Sequence, residues 1–110
     1  MMKIPMSVAA AGLLRSLLAR AAVNYDRILL IESRSTEWQS LTFVGERHQL
    51  FFRIAGPDAN EVVARLTCEL CDAEFSIPGQ IVADIGLAGS PRHEDDGAIT
   101  IELEALTIVE

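Results

Sequence analysis

His48–Leu66 reads HQLFFRIAGPDANEVVARL, and its two halves carry different periods. Leu50, Phe52 and Ile54 share one parity and Gln49, Phe51 and Arg53 the other, the two-residue repeat of a strand buried on one face. Gly56 and Pro57 end that strand. Asp58 stands where a helix N-cap belongs, Glu61 follows in the capping-box position, and Ala59, Val62, Val63, Leu66 and Leu70 recur at three- and four-residue spacing. Beyond them Pro78 and Gly79 turn the chain into another alternating segment, Gln80–Ala88. Its parities are Ile81, Ala83, Ile85 and Leu87 against Val82, Asp84, Gly86 and Ala88. Strand, helix and strand in this order form a βαβ crossover, whose helix packs on one face of its sheet.

Toward the N-terminus, Gly45, Glu46 and Arg47 read as a turn that pairs His48–Ala55 with a strand over Leu41–Val44. Ser33–Glu37 is a polar stretch. Arg27–Ser33, with Ile28, Leu29, Leu30 and Ile31 consecutive, reads as a strand buried on both faces or lying centrally in the sheet. Before it, Ser7 is an N-cap for a helix whose apolar face is Ala10, Leu13, Leu14, Leu17, Leu18, Ala21 and Tyr25. The opposite side, with Gly12, Ser16, Ala19 and Val23, is small enough for a partner helix to approach, or is simply short-chained surface.

Toward the C-terminus, Gly89–Gly97 is a polar loop. The last strand has Ile99, Ile101 and Leu103 on one face and Thr100, Glu102 and Glu104 on the other. Leu106 and Ile108 then take the opposite parity, so a bulge near Glu104 and Ala105 is expected, which would restore all five to one face. The expected fold is a single α+β domain over residues 1–110. It is a two-layer sandwich with two helices on one face of a mainly antiparallel five-stranded sheet, ferredoxin-like or a permuted variant.

At 110 residues the chain is long enough for one core and too short for two. Half of it is apolar, and its mean hydropathy of +0.28 is high for a small domain. Some apolar surface should therefore face a partner, and a homodimer or higher oligomer is expected. A net charge of −7 repels phosphate backbones, which argues against nucleic acid. The apolar run from Ile4 to Leu18 is interrupted by Arg15, so no secretory leader is expected. The run also falls short of the ~20 residues a bilayer helix needs. These features place the protein in the cytoplasm, off the membrane.

Cys68 and Cys71 make a C-x-x-C spacing, which serves redox dithiols or half of a zinc site. Both lie near the end of the second helix, where the dipole and the neighbouring Glu69 and Asp72 oppose thiolate formation. A zinc site would need every cysteine and histidine in the chain, His48 and His93 included. They are weak metal candidates, and neither metal nor cofactor is expected. No G-x-S-x-G surrounds a nucleophile, and His48 is expected at a strand end, bonded to backbone.

The polar set opposite the inferred core is Arg53, Asp84 and Glu102, with Glu104 alongside and Phe51, Val82 and Thr100 between them; Trp38 and Phe43 could add an apolar wall. If a second subunit covers that face, Arg53, Asp84, Glu102 and Phe51 could orient a small polar ligand. Cross-strand ion pairs on a wet sheet explain the same pattern.

The run IPGQIVADIG, within Ile77–Gly89, and the ending EALTIVE resemble a family of short bacterial proteins of unknown function. That resemblance covers the C-terminal half and implies no activity. The ferredoxin-like likeness is one of fold alone. Two functional readings follow: a non-catalytic homo-oligomeric module for a small molecule or a protein, or a small cofactor-independent enzyme of the dimeric α/β-barrel type with a cavity on the sheet face.

Overall fold

The computed structural model describes residues 6–21 and 27–110. Helix α1 spans Val8–Ala21, β1 Ile28–Gln39, β2 Val44–Ile54, α2 Ala59–Thr67, β3 Gln80–Leu87, β4 Arg92–His93 and β5 Ile99–Val109. A short 3₁₀ turn, Leu70–Asp72, follows α2. All strand pairs are antiparallel in the order β1-β2-β5-β3, with β4 also on β5. β2 and β3 therefore run parallel with β5 between them, and α2 connects them. Joining β5 to α1 would produce the order βαββαβ, so this two-layer α+β sandwich is a permuted ferredoxin-like arrangement.

Both helices pack on the same face. Leu13 and Leu17 of α1 and Val62 and Leu66 of α2 are fully buried against Leu50, Phe52 and Ile54 of β2 and Ile99, Ile101 and Leu103 of β5. The Ser7 cap forms, its Oγ accepting from the Ala10 N–H at 3.1 Å. The Asp58 cap does not. Its carboxylate is taken by Arg27, while Glu61 pairs with Arg65 one turn along at 3.9 Å. Arg20 reaches across from α1 and donates to the Leu66 and Cys68 carbonyls, placing positive charge on the C-terminal end of α2. Gly12 is not open surface: a Cβ there would stand 2.8 Å from the Ile77 side chain. Val23 and Tyr25 lie outside the described residues.

The hairpin is longer than the sequence suggests. Ser33–Glu37 belongs to β1 and Gly45–Arg47 to β2. Leu41–Phe43 is not a strand: the Ser40 N–H donates to the Phe43 carbonyl, Leu41 and Thr42 form the loop, and Val44 opens β2. Eleven residues of β2 extend about 37 Å, whereas the 14 of α1 extend about 21 Å. The hairpin end thus projects beyond helical cover, and its polar composition follows from that exposure.

The expected bulge in β5 is absent, and its register with β2 is continuous from Ile99 to Ile108. Ala105 and Thr107 continue the buried parity, and Leu106 and Ile108 point to the other face. The irregularity is instead in β3, at Ala83 between Val82 and Asp84. It sets Val82 opposite the buried Thr107 and Ile85 opposite Ala105, so Val82 turns inward and does not join Asp84. β1 is not central but the edge strand beside β2, with Leu29 and Ile31 exposed, and a second bulge leaves Ile31 unpaired. The stretch read as a loop also contributes the two-residue strand β4.

Candidate functional site

No described helix lies on the outer sheet face, and the register arranges its side chains in rows. From the α2 end of β2 upward, Leu29, Arg53, Thr100 and Arg92 form one row, and Glu32, Phe51 and Glu102 the next. Then come Arg34, Gln49, Glu104 and Gly86, followed by Thr36, Arg47, Leu106 and Asp84. Among the described residues these rows hold four arginines and four carboxylates, and Glu94 and Asp96 bring two further carboxylates to the face through Thr100 and Arg53.

A groove of about 350 Å³ opens at the lower end, lined by Ile31, Glu32, Phe51, Arg92, Thr100 and Glu102 among others. Phe51 forms its floor between Glu32 on β1 and Glu102 on β5, the cross-strand partners on either side. The guanidinium of Arg34 stands 5.8 Å from the Phe51 ring centre and is ion-paired with Glu32. Glu32 Oε2 is buried against that guanidinium. Thr100 Oγ1 donates to Glu94 Oε1 at 3.1 Å, which orients the groove wall.

The four residues singled out from sequence do not converge. Phe51 and Glu102 are direct neighbours. Arg53 lies one row below, held by Asp96 of the β4–β5 turn. The Arg53 hydrogen bond keeps the Asp96 carboxyl below the usual carboxylate range, with help from the Ala98 N–H. Asp84 pairs with Leu106, four residues along β5 from Glu102, which is about 13 Å away. Trp38 is farther still, opposite Gly45, and Phe43 is in the hairpin turn. Glu32, which lines the groove, stood in the expected strand Arg27–Ser33 without being singled out, and Arg34, which stands over Phe51, lay in the polar stretch Ser33–Glu37. The signal for them was parity: Glu32, Arg34, Thr36 and Trp38 alternate with Ser33, Ser35, Glu37 and Gln39.

His48 is neither at a strand end nor backbone-bonded. It is fully buried on the helix-side face, with Nδ1 2.8 Å from Ser35 Oγ and Nε2 2.8 Å from Thr107 Oγ1. A neutral imidazole donates from one nitrogen and accepts at the other, and hydroxyls match either tautomer. Burial pushes its pKa down, partly opposed by the Glu46 charge.

Cys68 follows the last residue of α2 and is exposed. Glu69 takes a left-handed φ of 51° before the 3₁₀ turn holding Cys71, so the helix breaks between the two cysteines. Among the described residues no three His, Cys, Asp or Glu side chains converge as metal ligands, and no helix is long and apolar enough to cross a membrane. No protein-family model, curated protein or solved structure matches this chain.

Proposed function

We propose that the protein is a non-catalytic, cytoplasmic binding module that acts as a homo-oligomer and takes a small polar ligand carrying an amine or guanidinium group in the groove floored by Phe51. One observation carries this reading: the Phe51 ring lies between two carboxylates, and a guanidinium of the chain itself already stands over it. An aromatic face and flanking anions both attract cations, and the flanking anions disfavour an anionic guest. The enzyme reading requires Arg53, Asp84 and Glu102 in one enclosure. Arg53 is committed to Asp96 and Asp84 lies three rows from it, so binding is favoured. The exposed thiol of Cys68 suits a reducing compartment.

The test is calorimetric titration with propylguanidinium and with its neutral isostere propylurea. The cation should bind and the urea should not. Phe51→Ala should weaken binding by about 0.5–2 kcal/mol, roughly 2- to 30-fold, and Glu102→Gln should weaken it as well. Equal binding of the urea, or an unchanged affinity in Phe51→Ala, would end the proposal.

A further inference from the structure

The end of the outer face away from the groove is apolar across four strands. Trp38, Gly45, Ile108 and Ile81 occupy one row, and Leu106 sits in the row beside it, between Arg47 and Asp84. Ile81 is 51% exposed. Among the described residues, the other three arginines of this face each have an ion-pair partner in the chain, whereas Arg47 and Asp84 have none. One strand separates these two, placing their backbones about 10 Å apart with the Leu106 side chain between.

The arrangement is complementary to itself. A two-fold axis laid along β5, between two such sheets, turns β2 of one copy over β3 of the other and leaves every row at its own height. Arg47 then faces Asp84 of the other copy, and the reverse, while Leu106 meets Leu106. Ile81 comes to lie over Gly45, which has no side chain to obstruct it. We propose that a second copy of this chain docks sheet to sheet on this apolar end about that axis, joined by two reciprocal Arg47–Asp84 ion pairs.

The same axis would set Glu104 against Glu104 in the next row, and Glu102 against Glu102 and Arg53 against Arg92 at the groove end, which repels. That repulsion confines the contact to the apolar end, the two sheets splaying apart toward the groove, which stays open. The chain's net −7 also opposes association. Two rows over four strands are smaller than the roughly 800 Å² per partner of a standard interface, so the dimer is weak and concentration-dependent. This deepens the homo-oligomer part of the reading above and is independent of the groove's ligand.

Sedimentation of the full chain from about 10 µM to about 1 mM at low salt tests it. The wild type should pass from monomer toward dimer. Arg47→Asp and Asp84→Arg, both changes of exposed side chains, should each weaken association about tenfold or more, and the double reversal should restore it to within about twofold. A wild type that stays monomeric throughout, single variants that associate like the wild type, or a double variant that is not rescued would each overturn the proposal.

Discussion

Replacing His48 with leucine tests the buried polar row most sharply. The imidazole is fully enclosed and bonded on both nitrogens, to Ser35 and Thr107. Leucine fits the apolar surroundings but offers Thr107 nothing, and the Thr107 side chain is itself fully buried. One buried hydroxyl without its partner costs about 1–3 kcal/mol, against a typical total stability of about 5–15 kcal/mol. Ser35 is exposed and can bond water, so it adds little. Adding Thr107→Val removes the orphaned hydroxyl and should recover most of the loss, since taking away both partners is nearly neutral.

The pH dependence gives a second reading of the same site. Because burial holds the folded pKa of His48 below its unfolded value near 6.5, the unfolded chain binds the extra proton in that window. Stability should therefore be full above about pH 6.5 and fall as the pH drops toward the folded pKa, by up to about 1.4 kcal/mol per unit. His48→Leu should lack this slope. Urea unfolding of wild type, His48→Leu and His48→Leu/Thr107→Val at neutral and mildly acidic pH measures both effects. A single variant as stable as the wild type, or one that keeps the slope below pH 6.5, would refute the reasoning.

Arg34→Ala should tighten propylguanidinium binding, because it frees Phe51 and Glu32 from their internal cation; weaker binding by calorimetry would show that Arg34 helps to form the site. Gly45→Ala should cost about 1–3 kcal/mol or more in urea unfolding, since its Cβ would stand 1.9 Å from the Thr107 carbonyl oxygen. Phe52→Ala, at the centre of the core, should cost about 3–5 kcal/mol. Asp58 and Asp96 are held below the usual carboxylate range by Arg27 and Arg53. Their contribution to stability is present above about pH 4 and lost below it. Asp96→Asn should therefore flatten the acid limb of a stability curve without changing the limb assigned to His48.

Where one layer of residues alone decided the outcome, it was legible. Leu50, Phe52 and Ile54 of β2 and Val62, Val63 and Leu66 of α2 face each other across a dry core, and their periods state this directly. Errors arose where burial depended on a partner from a distant strand. Thr107 looks like an outward residue in β5 until His48, 59 positions earlier, supplies its hydrogen bond. With Thr107 inside, Leu106 and Ile108 must face out and no bulge in β5 is needed. The polar half of β1 escaped notice for a related reason, since it pairs with β2 beyond the reach of the helices and carries no apolar stripe. Phe51 and Glu102 were legible as a shared face. Their proximity to Glu32 and Arg34 required the β1 register, which depends on the bulge at Ile31.

Amide NMR of the labelled protein during titration with propylguanidinium addresses the proposed site most directly. Shift changes should concentrate at 31–34, at Phe51 and at 100–102, the strand segments that meet in the groove, with propylurea producing none. Changes spread over the acidic surface at large, or an unmoved Phe51 at saturating cation, would contradict a cation site on the open sheet face.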